Sequence, residues 1–264
     1  MNLRSDPRKA RRPSRELVIV GIGPGSAEYL TREAVDVLLG ADRIWFRFSS
    51  HPVYPWLETQ GKEPKSFHGL YDIPQLGYHD IYRFIARALI HDTKRHGRVV
   101  YALPGNPHVL EMTTKLLRRD SEREKVSVRT VLGISFLELM YSILGIDPGD
   151  GIQVLDRYHI KWCAKHPDHS MFDGHVGIIV GQIGAAPVDG RQSGLTLADV
   201  VVRGLTTVFP PSHRVTLVWS TGWPDYANPS RTFRLNELVE QLDQLEGEFA
   251  SLYVPPIKPN RWRQ

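Results

Sequence analysis

The feature that most constrains this chain is a repeated junction in its first half. A short apolar run stops at a glycine or proline turn, and a helical pattern follows. Glu16–Val20 (ELVIV) runs into Gly21-Ile22-Gly23-Pro24-Gly25-Ser26. Residues 98–103 (RVVYAL) end in Pro104-Gly105-Asn106-Pro107, and residues 126–131 (VSVRTV) end at Gly133-Ile134-Ser135. RIWFRF at 43–48 reads as a further strand. Ala34, Val37, Leu38 and Ala41 recur at helical spacing behind Thr31, which suits an N-cap. A second helix covers His79 to Thr93, with Ile81, Phe84, Ile85, Ala88 and Leu89 on one face, and a third runs from the second loop to about Leu117. Strands alternating with helices need crossover connections, so the pattern predicts an α/β chain with parallel strands.

The pattern changes near residue 145. Gly145, Pro148, Gly149 and Gly151 form a turn-rich stretch that reads as part of a domain junction. Beyond it, strands are expected at 175–180, 214–220 and 249–254, and helices near 195–205 and 235–245. Residues 157–173, rich in histidine and polar groups, read as a loop. The expected organisation is a basic tail at 1–15, an N-terminal α/β domain at 16–133, a C-terminal α/β domain at 134–257 and a tail at 258–264.

Composition narrows the function classes. With 41% hydrophobic and 23% charged residues the chain is an ordinary globular protein, and 264 residues suffice for two cores. No apolar stretch of about 18 residues exists, so no spanning helix is expected. The basic N-terminus lacks the apolar run of a secretory signal. Cys163 is the single cysteine, which excludes an internal disulfide and a Cys-rich zinc site. A cytoplasmic location is the simplest expectation. The pI near 9.2 suggests a polyanion partner, but the charge sits in the tails. Residues 1–15 carry +5 and residues 258–264 carry +3, so the rest of this +4 chain carries about −4. The tails read as solvated, disordered ends, and neither nucleic acid nor a membrane is an expected partner. His159, His166, His169 and His175 lack a compact ligand spacing with carboxylates, so no metal is expected.

Ligands of open α/β sheets bind at the carboxyl ends of the strands, where glycine lets backbone approach them closely. The first loop is not a dinucleotide fingerprint. Ser26 stands where G-x-G-x-x-G needs its last glycine, and Pro24 removes an N–H that a phosphate would use. In the second loop, two prolines flank a Gly-Asn turn and make a rigid bend.

Taken together, the loops resemble the tetrapyrrole (corrin/porphyrin) methylases. Residues 21–25 resemble that family's opening GxGPG loop, residues 104–107 its GGDP loop, and residues 133–135 the PGxT/S turn that follows. The run GISFLELMYSILGIDPGDGIQVLD (133–156) and the ending SLYVPP (251–256) are most similar to the methylase-like half fused to MazG-type nucleotide pyrophosphohydrolases. Gly133-Ile134-Ser135 followed by LGIDPG is also shared with borosin-type peptide N-methyltransferases. The resemblance covers roughly residues 16–257.

It implies two α/β domains, S-adenosylmethionine as methyl donor in the cleft between them, and a homodimer. By motif, the donor contacts are Pro24, Gly105, Asn106, Val109, Ser135 and Phe136. Gln182 and Thr221 follow from a looser alignment. Asn106 departs from the family's Asp and removes a carboxylate from beside a sulfonium ligand. Neither a pyrophosphohydrolase half nor a peptide substrate tail is expected within this sequence. The implied acceptor is a small molecule, a tetrapyrrole or a peptide. Besides a methyltransferase on a small or macrocyclic acceptor, two readings stay open: a backbone N-methyltransferase acting on a separate precursor peptide, and a non-enzymatic sensor that binds the donor.

Methyl transfer from a sulfonium is a direct displacement with a good leaving group. The protein must hold the nucleophile in line at about 3–3.5 Å and exclude water. The catalytic candidates lie in FHGLYDIPQLGYHDIY (67–82), where Tyr71 and Tyr82 flank a turn holding Pro74 and Gly77. The peptide methylases place a Tyr and an Arg in this segment, but no Arg lies between Tyr71 and Tyr82 here. Tyr71 is the candidate to orient or deprotonate a nucleophile, against the alternative that both tyrosines pack at a domain edge. His79 is a weaker candidate.

Overall fold

The computed structural model describes residues 15–166, 172–183, 197–219, 230–243 and 250–257. Residues 1–14 and 258–264, expected as disordered tails, and Thr221 lie outside them. The chain divides into two compact units, one ending at Ser135 and one beginning at Phe136. The class is α/β, with a five-stranded sheet in each unit.

The N-terminal unit contains β1 (Glu16–Gly21), α1 (Arg32–Leu39), β2 (Ile44–Phe46), α2 (Val53–Thr59), β3 (Lys65–Ser66), α3 (Tyr78–His96), β4 (Arg98–Leu103), α4 (Met112–Glu124) and β5 (Ser127–Val131). Sheet order is β3-β2-β4-β1-β5, and every pairing is parallel. β1 sits inside the sheet, and Leu17, Val18, Ile19 and Val20 are all fully buried. Their alternation divides the core. Leu17 and Ile19 join Ile85, Leu89 and Leu117 from α3 and α4, whereas Val18 and Val20 join Ala34, Leu38, Val53 and Leu57 from α1 and α2. The continuous apolar run is therefore the signature of a strand covered on both faces. Thr31 caps α1, its hydroxyl accepting from the Ala34 amide at 3.1 Å. α4 outruns its expected end at Leu117 because the apolar stripe fades there while buried Ser121 keeps the helix against the unit. α2 is not among the expected helices, and it carries two prolines, Pro52 and Pro55. They occupy the N-cap and first turn, where a helix needs no N–H from proline.

The C-terminal unit contains α5 (Phe136–Leu144), β6 (Ile152–Asp156), α6 (Arg157–Lys165), β7 (Gly177–Gly181), α7 (Leu197–Leu205), β8 (Arg214–Trp219), β9 (Ser230–Arg234), α8 (Leu238–Asp243) and β10 (Ala250–Val254). Its sheet has the order β6-β7-β10-β8-β9 and is mixed, unlike the parallel sheet of the first unit. Among the described residues of this unit, only β6 and β7 pair in parallel. β10 runs antiparallel to both β7 and β8, and β8 antiparallel to β9. The expected loop at 157–173 is corrected. Its first part is α6, which buries Ile160 and Cys163 completely. Gly204 of α7 faces it, and a Cβ there would lie 2.9 Å from Ile160 Cγ2 and 3.0 Å from the Ile160 carbonyl, so glycine permits the close helix approach. The turn-rich stretch forms a short turn, Pro148–Asp150, between α5 and β6 inside this unit. Among the described residues, no helix is long and apolar enough to cross a membrane.

A buried histidine ties the chain after β2 to the first glycine loop. His51 is 4% exposed. Its Nε2 lies 3.2 Å from the Gly23 carbonyl, and the Val53 amide donates to its Nδ1 at 3.3 Å. These partners assign a neutral ring with its proton on Nε2. Burial pushes its pKa down to about 4, against a weaker upward pull from the Gly23 carbonyl. The unfolded chain thus takes up the proton near pH 6.5, while the folded protein resists it down to about 4. The contribution of His51 is therefore fully present above pH 6.5 and is lost as pH falls. Lowering the pH from 7.5 to 4.5 should remove about 2–3 kcal/mol that His51→Gln no longer loses. Urea midpoints of both proteins at both pH values check this, and equal pH dependence would refute it.

Candidate functional site

β4, β1 and β5 are neighbours in that order, and their three loops leave from one edge of the sheet. The loops close on one another through backbone. The Ile22 amide donates to the Leu103 carbonyl at 3.0 Å, and the Gly105 amide donates to the Gly23 carbonyl at 2.7 Å. A Cβ on Gly21 would stand 2.5 Å from the Gly105 carbonyl oxygen and 2.7 Å from both the Gly133 nitrogen and Pro107 Cδ. A Cβ on Gly133 would stand 2.6 Å from the Gly21 carbonyl carbon. These two glycines are thus needed to let main chain pack on main chain. Gly105 is different: its φ is +70°, and its missing Cβ would face only the Ser135 Cα, at 3.8 Å. One side of that peptide is open to a ligand.

The expected donor residues of this unit come together here. Pro24 follows the Gly23 bridge, Gly105 faces buried Ser135, and the Val109 amide donates to the Asn106 carbonyl at 3.1 Å. The Asn106 side chain has an internal task. Its Nδ2 donates to the Gly133 carbonyl at 2.9 Å, and its Oδ1 accepts from the His108 amide at 2.9 Å. An aspartate could accept from His108 but could not donate to Gly133, so this geometry calls for the amide. Phe136 opens α5 in the second unit, and Gln182 follows β7 with a φ of +61°.

A second cluster lies near the C-terminal ends of β2 and β4. Arg47 follows β2 and is 8% exposed, and its amide donates to the Ala102 carbonyl at 3.0 Å. Arg47 Nη1 donates to Glu111 Oε2 in a buried ion pair, and Nε donates to the Tyr71 hydroxyl at 3.0 Å. The guanidinium carbon stands 4.7 Å from the Tyr82 ring centroid and 5.4 Å from that of Phe48. Glu111 also caps α4, its Oε1 accepting from the Thr113 amide at 2.8 Å. Burial works against the Arg47 charge, but Glu111 and the surrounding tyrosines outweigh it and raise the pKa. Burial pushes Tyr71 up to about 12 although Arg47 pulls it down.

Tyr71 and Tyr82 therefore share one cation, which the segment between them does not contain. Arg47 and Glu111 were missed because they lie far away in sequence. The available signal was a charged residue directly after a buried strand and another directly before a helix. His79 is exposed in the first turn of α3. His159 lies on α6 with Nδ1 2.9 Å from Asp156 Oδ1.

The model of the family Tetrapyrrole (Corrin/Porphyrin) Methylases matches residues 16–226. The uncharacterized protein YabN of Bacillus subtilis (strain 168) is 29% identical over 246 residues, 93% of this chain and 46% of that protein. A methyltransferase/type III borosin cyclic peptide precursor of Anomoporia bombycina is 27% identical, over 91% of this chain and 28% of that one. The chain thus spans less than half the length of these two relatives. In structure it is similar to uroporphyrin-III-C-methyltransferase of Thermus thermophilus, with a TM-score of 0.62 at 20% identity over 91% of each chain. The cobalt precorrin-4 methyltransferase CbiF gives 0.63 at 14% identity, over 91% of this chain and 95% of that one. With glycine loops converging at one sheet edge and a family match across most of its length, the chain belongs to the tetrapyrrole methylases.

Proposed function

We propose that this protein is a methyltransferase that takes its methyl group from S-adenosylmethionine, with Pro24, Gly105, Asn106, Val109 and Ser135 forming the N-terminal unit's share of the donor site. The observation that carries the reading is the convergence of three loops at one sheet edge with Gly105 open on one side. A backbone with no Cβ at Gly105 suits close contact with a nucleoside and an amino-acid moiety. The sulfonium brings its own leaving group, so the protein's task is alignment and exclusion of water.

Tyr71 has a defined polarity in this scheme. Arg47 Nε–H donates to its oxygen, which leaves the phenol O–H free to donate elsewhere. With its pKa near 12, the phenol keeps its proton at neutral pH. Tyr71 therefore orients an acceptor oxygen rather than removing a proton, with Tyr82 as the wall on which the Arg47 cation rests. A peptide acceptor is the favoured second reading. Two borosin-type relatives, 27% and 20% identical, and an Arg–Tyr pair suited to an amide carbonyl support it. A homodimer in the cytoplasm completes the proposal, and light scattering at micromolar concentration tests the dimer.

Calorimetry with S-adenosylhomocysteine should show binding to the wild type. Gly105→Ala should weaken it at least tenfold, or about 1.4 kcal/mol, with an unchanged circular dichroism spectrum. Two effects act there, since a Cβ enters the open side and an L-residue at φ +70° costs about 1–2 kcal/mol. Asn106→Ala should lower stability by about 1–2 kcal/mol through its two lost hydrogen bonds. If the wild type shows no binding at high micromolar ligand, the enzymatic reading fails and a vestigial domain takes its place.

Tyr71→Phe should bind S-adenosylhomocysteine as the wild type does but transfer methyl groups from labelled donor to an acceptor at least tenfold more slowly, or about 1.4 kcal/mol. Wild-type turnover should stay flat from pH 7 to 10, because the phenol loses its proton only near 12. A rise across that range would make Tyr71 a base.

A further inference from the structure

The first two glycine loops meet at one carbonyl. Proline has no N–H, so the peptide between Gly23 and Pro24 has its carbonyl as its only hydrogen-bonding group. Gly23 holds a φ of +76°, a region where glycine is unhindered, so the backbone itself does little to fix that peptide. Its orientation depends on what the carbonyl meets, and it meets two donors. The Gly105 amide donates at 2.7 Å, and Nε2 of His51 donates at 3.2 Å. A carbonyl oxygen has two lone pairs, and these two donors fill them. The return bond, from the Gly23 amide to the Gly105 carbonyl, is long at 3.4 Å, so the bridge is held mainly from the Gly23 carbonyl.

His51 is itself held on its other side. Its Nδ1 accepts from the Val53 amide at 3.3 Å, and its carbonyl accepts from the Tyr54 amide at 2.8 Å. Both amides belong to the first turn of α2, where a helix has no acceptor of its own, and Pro52 at the N-cap has no side-chain oxygen to supply one. Val53 and Leu57 of the same helix are fully buried in the core that contains Val18 and Val20 of β1. The sheet thus fixes α2, and α2 fixes the ring. With Nδ1 occupied as an acceptor, the neutral ring carries its proton on Nε2, which faces Gly23. A ring that served only to cap α2 would need no second contact. Here the second nitrogen reaches a loop that leaves a different strand, and through the Gly23 carbonyl it acts on Gly105, whose peptide is open on one side.

We propose that His51 is a positioning residue for the methyl donor: its Nε2–H holds the Gly23 carbonyl against the Gly105 amide and so keeps the open side of Gly105 turned toward the ligand. The word donor rests on the methyltransferase reading; the hold on the loop does not. Without this bond the Gly23 carbonyl keeps one donor, the Gly23–Pro24 peptide gains freedom to rotate, and Gly105 tilts with it. His51 acts through Gly23 and not on the ligand itself.

The test separates the two ring nitrogens in the full chain, with S-adenosylhomocysteine as the probe. His51→Gln puts an amide nitrogen near the place of Nε2, so it keeps a donor for Gly23 and gives up the acceptor for Val53. His51→Asn puts an oxygen near the place of Nδ1, so it keeps that acceptor and gives up the donor. Neither variant carries charge, and each loses one hydrogen bond. The readouts are calorimetric affinity, the urea midpoint, and hydrogen exchange of the Gly105 amide without ligand. The reference for exchange is the Val100 amide, which donates to the Arg43 carbonyl at 2.9 Å in the same unit. His51→Asn should bind at least about tenfold more weakly than the wild type, and His51→Gln within about threefold of it, at similar urea midpoints. Gly105 exchange relative to Val100 should rise at least about tenfold in His51→Asn alone. Wild-type affinity in folded His51→Asn overturns the proposal. So does an equal loss of affinity in both variants, which would make the ring a cap of α2 and no more. Unchanged relative exchange at Gly105 in His51→Asn overturns it as well. If His51→Asn fails to fold, the wild type decides. Its His51 Nε2–H resonance should shift together with the Gly105 amide as S-adenosylhomocysteine is added, and a fixed Nε2–H signal overturns the proposal. If the wild type binds no S-adenosylhomocysteine, the donor reading falls, and exchange at Gly105 still shows whether His51 holds the loop.

Discussion

The N-terminal unit depends on one steric constraint, the contact of three main chains where β1, β4 and β5 end. Gly21 and Gly133 press against the Gly105 carbonyl, and no side chain fits between them. Parallel neighbours normally diverge at their ends, because each must turn into its own crossover helix. Here the turns are held together instead, by the Gly23–Gly105 bridge and by the Asn106 amide clasping Gly133. The result is a surface made of peptide groups. It is rigid because it is bonded to itself, and Gly105 leaves part of it uncovered. Any ligand read by shape and backbone polarity rather than by side-chain charge suits such a surface.

A second constraint runs through β2, a strand of only three residues with an arginine on either side. Before the strand, Arg43 meets Asp92 of α3 through Nε and through Nη2 at 2.7 Å, and Trp45 donates to the same carboxylate at 2.8 Å. Burial of Asp92 would raise its pKa, but the hydrogen bonds from Arg43 and Trp45 prevail and hold it low. This pair ties α3 to the start of β2. After the strand, Arg47 pairs with Glu111 at the start of α4, yet hydroxyls around it remain unpaired. The two pairs look alike in sequence.

Much of the fold was legible because burial on both faces leaves an unmistakable mark. β1 and β4 are almost wholly apolar, and Thr31 announces α1. What escaped had a physical reason in each case. α2 hides behind two prolines that a helix start tolerates. α6 hides because its sequence is rich in histidine and lysine, with His159 and Lys165 exposed while Ile160 and Cys163 face inward. The antiparallel half of the second sheet escaped because strand direction depends on connections, not on the strands' own residues. The glycine loops were visible as motifs, but the task of Asn106 was not. A single letter in place of the family's aspartate reads as a lost charge, whereas the structure shows an amide using both of its ends.

The catalytic candidates follow the same logic at longer range. Tyr71 and Tyr82 were legible by position, but a tyrosine's chemistry is set by what it touches. Arg47 lies 24 residues before Tyr71, and Glu111 lies 64 residues beyond Arg47. Arg47 follows β2, Tyr71 follows β3 and Glu111 follows β4, so no local window contains the set. Once assembled, they determine one another. Glu111 keeps Arg47 in place, Arg47 occupies the Tyr71 oxygen, and burial keeps the Tyr71 proton on. The phenol is left with a single free function, donation of its O–H. An acceptor oxygen placed there would be held by a neutral donor backed by a cation whose charge is already matched. That arrangement follows from the order of the strands as much as from the identity of the residues.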